Sequence, residues 1–242
     1  MRKETRAFVA TVAGELTLPD PIVEIGALQI EGQEKYADLR PLFPGRAFIG
    51  CDMRLGPGVD RVENLHALTF GDASVGTLIM LDTLEHVQYP FDAMREVHRV
   101  LQPGGVVVMT SVMLCPIHGY PSDYWRFTPE AFKTLLQPFA TRWVFSDRPA
   151  LFPRSVYGVG IKGAAGDDIG ARLAVAVERD VVARFFGAPA MSIITVDGNM
   201  VTVTRRSTRG KLLFALRALE LARLRLRRAW KRLTGRARQQ GA

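Results

Sequence analysis

Residues 21–26 read PIVEIG, residues 47–52 read AFIGCD, and residues 75–82 read VGTLIMLD. Each is a short apolar run that stops on glycine or aspartate, a pattern typical of buried strands in a parallel sheet. Parallel strands deliver the residues that follow them to the same edge of the sheet. The pattern therefore predicts a crevice at that edge, lined by carboxylates and suited to a ligand with hydroxyl groups and positive charge.

Strand-like and helix-like segments alternate along the chain to about residue 140. This alternation predicts an α/β fold built on a doubly wound, mostly parallel sheet. Helices are predicted over residues 32–43, 90–101, 130–136 and 171–186, with later strands over 106–109, 143–146 and 155–161. A hairpin is predicted within residues 193–204.

The length of 242 residues and the hydrophobic content of 48% favour one large core with an appendage. We divide the chain into a domain over residues 1–204 and a tail over 205–242. The two cysteines, Cys51 and Cys115, suggest neither a disulfide framework nor a four-ligand zinc site, and no metal is expected. The N-terminal residues are interpreted as a lead-in segment rather than a signal peptide, and a cytoplasmic protein is expected.

The net charge of +8 is unevenly distributed. From residue 205 onward there are 13 Lys/Arg and one acid, which leaves 19 basic and 23 acidic residues before it. Leucines recur at three- and four-residue steps over residues 205–238, which predicts a basic amphipathic C-terminal helix. The favoured interpretation is binding to an anionic membrane surface. Packing against a partner or a second copy comes next, and nucleic acid last, because aromatic residues for stacking are scarce.

The turn after the first strand separates two kinds of cofactor. A dinucleotide pyrophosphate needs close approach by the main chain at a second glycine, where this sequence has Leu28. Glu24 would also repel the pyrophosphate. S-adenosylmethionine carries an ammonium and a sulfonium, which Glu24 would attract, and its ribose hydroxyls suit Asp52. The chemistry favours S-adenosylmethionine over NAD.

An ordered set of short motifs supports this interpretation. The set is Glu24-Ile25-Gly26, Asp52, Leu68-Thr69-Phe70, Leu84-Glu85-His86-Val87, Glu96, Arg99-Val100-Leu101 and Pro103-Gly104-Gly105. It resembles the signature of class I S-adenosylmethionine-dependent methyltransferases of the small-molecule type, over about residues 20–162. The resemblance implies a seven-stranded Rossmann-like sheet. It also implies a cofactor site formed by Glu24, Gly26, Asp52, Asn64, Leu65 and Asp82.

Two positions depart from the family pattern. Leu28 replaces the usual second glycine, so the methionine end of the cofactor is expected to be held differently. Asn64 stands where an aspartate often contacts adenine, and its carbonyl can still accept from the adenine amino group. For Asp82, a role in the pocket and N-capping of residues 83–87 stay open as alternatives.

The segment 116–127 is the predicted site of acceptor recognition. It concentrates aromatic and ionisable side chains just after the fifth strand, and its members are His118, Tyr120, Asp123, Tyr124, Trp125 and Arg126. Aromatic faces can stack on an acceptor, and His118 or Asp123 can accept a proton, so these two are the predicted catalytic residues. The alternative is structural: the aromatic residues pack the loop onto the sheet, and Arg126 pairs with a carboxylate.

These expectations combine into a methyltransferase that acts on a small molecule, a sugar or a lipid-linked glycan, and that lies peripherally on the inner face of a membrane. An RNA methyltransferase using the basic tail is the nearest alternative. The fourth strand, however, is not followed by the Asn/Asp-Pro-Pro-aromatic motif of many adenine-N6 enzymes. A non-catalytic scaffold that recruits partners through the tail is the third possibility. A homo-oligomer is compatible with each.

Overall fold

The computed structural model describes residues 1–32, 34–119, 121–147, 153–164, 168–186, 192–196 and 199–203. The tail over residues 205–242 and its predicted helix over 205–238 lie outside these residues. The helices are α1 Lys3–Glu15, α2 Glu34–Ala37, α3 Pro90–Val100, α4 Pro129–Leu135, α5 Ile169–Val177 and α6 Ala183–Phe186. The strands are β1 Ile22–Ile25, β2 Phe48–Asp52, β3 Arg61–Val62, β4 Val75–Leu81, β5 Leu101–Val112, β6 Thr141–Ser146, β7 Ser155–Ile161, β8 Ser192–Val196 and β9 Asn199–Val203.

The strands form one sheet in the order β3-β2-β1-β4-β5-β7-β6-β8-β9. The first five of these are parallel, and β7 runs antiparallel between β5 and β6. These seven strands are the predicted doubly wound, mostly parallel sheet, which is confirmed. The β8–β9 pair forms the predicted hairpin and extends the sheet beyond β6.

Both faces of the sheet are covered, which explains the continuous apolar runs. All seven residues of β4 are buried, and residues 78–81 alternate between two cores. Leu78 and Met80 join the core that contains residues of α3 and α4. Ile79 and Leu81 join the core that contains residues of α1 and α5. Each fully buried aliphatic side chain of this size contributes roughly 1.5–3 kcal/mol.

Two predicted segments differ from the structure. The helix predicted over residues 32–43 is broken into the four-residue α2 and a 3-10 turn at Arg40–Leu42, because Pro41 has no backbone N–H to continue an α-helix. The N-terminal lead-in segment is the helix α1, with Phe8 and Val12 buried. It supplies a layer on one face of the sheet.

The other helices follow the sequence signals closely. Thr128 caps α4 as predicted, since its Oγ1 accepts a hydrogen bond from the Ala131 N–H at 3.1 Å. The helix predicted over residues 171–186 consists of α5 and α6 joined by a π-helical segment at Glu178–Val182. Within the described ranges, no helix combines the length and the apolar character required to cross a membrane.

Two glycines provide a test of packing on the sheet. A Cβ at Gly160 in β7 would lie 2.8 Å from Cγ of Phe139, whereas a Cβ at Gly14 in α1 would meet nothing within 4 Å. We expect Gly160→Ala to lower the free energy of unfolding by about 1–3 kcal/mol through overpacking. Gly14→Ala should raise it by roughly 0.5–1 kcal/mol by restricting the unfolded chain. Urea denaturation of both variants measures the difference, and equal effects would contradict this account of the sheet packing.

Candidate functional site

The turn after β1 is held against the ends of two neighbouring strands. Gly26 has a φ of +86°, and its N–H donates to the Cys51 carbonyl at 2.9 Å. A Cβ at Gly26 would lie 2.6 Å from Oγ1 of Thr83, which follows β4. Backbone conformation and space therefore both require glycine here. The turn leaves the main chain of Gly26 exposed at the edge of the sheet.

Asp52 ends β2 beside this turn. Its Oδ2 accepts from the Leu28 N–H at 3.4 Å, and its Oδ1 accepts from the Arg54 N–H at 3.2 Å. Both hydrogen bonds are long, and a carboxylate has about four acceptor positions in all. Asp52 therefore retains acceptor positions for a ligand, and its contact with the hydroxyls of a ribose stays a prediction.

The loop between β2 and β3 accommodates Leu28, which stands in place of the usual second glycine. A Cβ at Gly56 would lie 2.4 Å from Cδ1 of Leu28, so the loop between β2 and β3 makes room for this side chain. The same loop hydrogen-bonds to the turn after β1, since the Gln29 N–H donates to the Pro57 carbonyl at 2.9 Å. Leu28 is thus half-buried beneath this loop.

Asn64 follows β3. The residue before it, Glu63, contacts the end of β2, since the Glu63 N–H donates to the Asp52 carbonyl at 2.9 Å, and Asn64 therefore lies close to Asp52. Its Oδ1 accepts from the His66 N–H at 3.0 Å, and the residue is exposed. Leu65 is 4% exposed and belongs to the core. A contact between Leu65 and the cofactor would therefore use its main chain.

Glu24 lies within β1 and is buried rather than open to the crevice edge. Burial raises the pKa of this carboxyl from 4.5 to about 8, with the positive charge of Arg40 acting in the opposite direction. The group is therefore mostly protonated at neutral pH. Glu24 would attract the positive charges of the cofactor, as predicted, only if its carboxyl group lost its proton on binding.

Asp82 stands at the end of β4 in the left-handed region, with a φ of +50°. Such a conformation is uncommon for a residue other than glycine and costs about 1–3 kcal/mol. The carboxylate is bound by the guanidinium of Arg2 through Nε at 2.9 Å and Nη2 at 2.7 Å, and it accepts from the Thr110 hydroxyl at 3.0 Å. Thr83, not Asp82, is the residue that precedes the 3-10 turn at Leu84–His86, so the N-capping alternative is not what the structure shows.

The loop over residues 113–127 is anchored to the 3-10 turn after β4. The Glu85 carbonyl accepts from the N–H groups of Tyr124 at 2.8 Å and Trp125 at 3.2 Å. Phe127 is buried in the core, whereas Tyr124 and Trp125 are 47% and 42% exposed. These two rings are therefore accessible to an acceptor, and Phe127 secures the end of the loop.

His118 and Asp123, the two predicted catalytic residues, are brought together in this loop. Oδ2 of Asp123 accepts from the His118 N–H at 2.7 Å, and the Arg126 guanidinium donates to both carboxylate oxygens at 2.6 and 2.8 Å. The hydrogen bonds from Arg126 hold the pKa of Asp123 well below its usual range. Asp123 is thus a weak base that shapes the loop, in line with the structural alternative, while the His118 side chain is 42% exposed.

Gly26, Asp52 and Asp82 therefore lie at the same edge of the sheet, where β1, β2 and β4 end. Residues 49–109 match the family model described as a methyltransferase domain. The sheet has the Rossmann-like fold of class I methyltransferases. A solved structure of the CurJ carbon methyltransferase is similar to it at a TM-score of 0.50 and 15% identity, over 66% of this chain and 54% of that one. That likeness concerns the fold.

Other solved structures resemble this fold at low identity. A chain from a Haloferax volcanii complex of a methyltransferase activator and a putative methyltransferase is 17% identical, with a TM-score of 0.49, over 68% of this chain and 91% of that chain. CalH, solved in complex with S-adenosylhomocysteine, is 14% identical, with a TM-score of 0.46, over 65% and 57% of the two chains. The search of curated proteins finds no match.

Sequence reasoning missed two polar residues of the site. Arg2 reaches Asp82 across 80 positions of the chain, and no local pattern announces such a contact. Glu85 is fully buried, and its Oε2 accepts from the Ser111 hydroxyl at 2.5 Å. Glu85 lies four residues after the end of β4, and its place in the Leu84-Glu85-His86-Val87 motif was the usable signal for it.

The buried carboxyl of Glu24 predicts a pH dependence of stability. The unfolded chain ionises this group near pH 4.5, whereas the folded chain holds the proton to about pH 8. Folding is therefore progressively disfavoured by this group as the pH rises through that window. Relative to Glu24→Gln, the wild-type free energy of unfolding should fall between pH 5 and pH 8, by at most about 4 kcal/mol.

Urea denaturation at several pH values measures this trend, and Glu96→Gln is the matched control. Hydrogen bonds from Arg99 lower the pKa of Glu96, so that group stays ionised from pH 5 to pH 8 in the folded chain. The control difference should be nearly flat over this range. A flat difference for Glu24→Gln as well would contradict the assigned protonation.

Proposed function

We propose that this chain transfers a methyl group from S-adenosylmethionine to a small-molecule, sugar or lipid-linked glycan acceptor. The observation that carries the proposal is the meeting of Gly26, Asp52 and Asp82 at the carboxyl edge of a class I methyltransferase sheet. The exposed main chain of Gly26 can approach the cofactor, and Asp52 can accept from its ribose hydroxyls. The exposed rings of Tyr124 and Trp125 supply a stacking surface for an acceptor.

Methyl transfer makes few chemical demands on the protein. The acceptor atom attacks the methyl carbon in line, the carbon–sulfur bond breaks, and its electron pair stays on sulfur, which leaves neutral. Because no acid is needed, positioning can supply most of the rate, with effective molarities of about 10⁵ to 10⁸ M for well-oriented reactants. A base is required only when the acceptor must lose a proton, and His118 is the candidate for that role.

Cofactor binding is the primary test. Calorimetric titration of the full chain with S-adenosylmethionine should show binding in the micromolar range. Asp52→Ala should weaken it at least about tenfold, because hydrogen bonds to a charged acceptor are worth roughly 1.5–3 kcal/mol each.

The matched control is Asp92→Ala, since Asp92 is an exposed aspartate of α3 paired with Arg95. It should bind as the wild type does. A folded wild-type chain that shows no binding would favour the scaffold alternative over both enzyme interpretations.

His118→Ala tests the acceptor side of the crevice. We expect turnover to fall by about 10²–10⁴-fold if the histidine takes the acceptor proton, with little change in cofactor affinity. Single-turnover kinetics with a methyl acceptor and calorimetry on the same variant provide the two values. Equal losses of turnover and cofactor affinity would exclude this role.

We also propose that the tail over residues 205–238 places the enzyme at the inner, anionic face of a membrane from the cytoplasmic side. Support comes from its 13 Lys/Arg against one acid and from the leucine spacing. Each basic residue close to an anionic surface contributes about 1 kcal/mol. The domain before it carries slightly more acidic than basic residues, so the tail would supply the attraction to an anionic surface.

Vesicle co-sedimentation tests the membrane proposal. The full chain should bind vesicles that contain anionic lipid and should release them at high salt, whereas a chain ending at Thr204 should not bind. Binding that is the same with and without anionic lipid would show the proposal to be wrong. Salt-sensitive retention of RNA without vesicle binding would favour the RNA methyltransferase alternative.

A further inference from the structure

Three side chains converge where the loop over residues 113–127 meets the 3-10 turn after β4. They are Glu85, His86 and His118, and one potential ligand atom from each lies within 4.8 Å of the others. The rings of the two histidines pack edge to face, with centroids 4.8 Å apart. This cluster combines the imidazole and carboxylate groups that bind divalent transition-metal ions.

The hydrogen bonds of the two histidines orient them for coordination. Nδ1 of His86 lies 2.6 Å from the Ser122 carbonyl, and Nδ1 of His118 lies 3.1 Å from the Pro116 carbonyl. A carbonyl oxygen only accepts, so each Nδ1 carries the proton and each Nε2 carries a lone pair. Metal-binding histidines commonly have this arrangement, in which a carbonyl fixes the tautomer and the other nitrogen faces the ion.

Glu85 supplies the second, independent observation. Its side chain is fully buried, and Oε2 is held by the Ser111 hydroxyl. Oε1 is buried as well and has no hydrogen-bond partner in the part of the chain that the structure describes. A buried carboxylate oxygen without a partner is costly, and a cation would satisfy it.

We propose that Glu85, His86 and His118 form a binding site for one divalent transition-metal cation at the acceptor side of the crevice. Ligand atoms around an ion with bonds of about 2.1 Å are roughly 3–3.5 Å apart, so atoms that lie up to 4.8 Å apart must draw together by up to about 1.3–1.8 Å on binding. His118 is exposed on its loop, which gives it room to make this movement. Glu85 and His86 both belong to the 3-10 turn Leu84–His86, so most of the movement would fall to His118.

The cation would extend the proposed methyl transfer, and this step rests on that function. Three protein ligands leave coordination positions open for oxygen atoms of an acceptor. With the ion bound, Nε2 of His118 would coordinate the metal instead of accepting the acceptor's proton. The metal-bound hydroxyl would lose its proton to water more readily, its oxygen would attack the methyl carbon, and the carbon–sulfur bond would break with its electron pair on sulfur. Acceptors with a hydroxyl beside a second oxygen donor are the class that such a site suits.

Cobalt binding tests the site without any acceptor. The full chain, freed of metal with a chelator, should bind about one Co²⁺ in the micromolar range, with visible absorption bands of a nitrogen- and oxygen-ligated ion. His118→Ala and Glu85→Gln should each weaken binding at least about tenfold. His98→Ala is the matched control, because His98 packs against Phe139 and lies outside the cluster, and it should bind as the wild type does.

Two further measurements distinguish failure of the metal site from failure of the proposed methyl transfer. Acetohydroxamate, a bidentate oxygen ligand, should shift the absorption bands of the cobalt-loaded chain if coordination positions are open. Titration with S-adenosylmethionine on the same preparations reports the cofactor site alone and should be unchanged in His118→Ala. Equal cobalt affinity in the wild type and His118→Ala, or the absence of micromolar binding by a wild type that binds S-adenosylmethionine, would overturn the metal site and leave the proposed methyl transfer intact.

Discussion

The turn after β1 places the main chain of Gly26 between the end of β2 and Thr83, the second residue after β4. Its N–H bonds to Cys51, and the hydroxyl of Thr83 occupies the space that a side chain would need. These contacts join three neighbouring strands at one edge of the crevice. Asp52 and Asp82 take their positions at the crevice from this arrangement.

The acceptor side depends on a different kind of contact. The loop over residues 113–127 has little regular structure in its described residues, and it is held by the Glu85 carbonyl and by the Asp123–Arg126 ion pair. Asp123 is almost wholly buried, with 1% of its side chain exposed, so this pair is better protected from solvent than an ordinary surface ion pair. The loop can therefore present His118 and two exposed rings while its base stays in place.

The N-terminal helix links the outer layer of the fold to the crevice. Phe8 of α1 packs against Phe145 and Tyr157 on one face of the sheet. Arg2, at the start of the same helix, reaches Asp82 and the hydroxyl of Ser155 at the sheet edge. Asp82 is thus neutralised by a residue distant in sequence, and a ligand that contacts Asp82 must share it with Arg2.

Local sequence determined most of the framework. Apolar runs that stop on Gly26, Asp52 and Asp82 specify buried parallel strands, and Thr128 followed by proline specifies a helix start, because hydrophobic period and capping are local properties. Tertiary structure alone decided the state of the ionisable groups. Arg2 pairs with Asp82, and His86 approaches His118, across separate elements of the fold. The burial of Glu24 and Glu85 likewise depends on elements that pack around them. Charge, protonation and ligand geometry depend on distances across the fold, and these distances exist only after the sheet and its layers have packed.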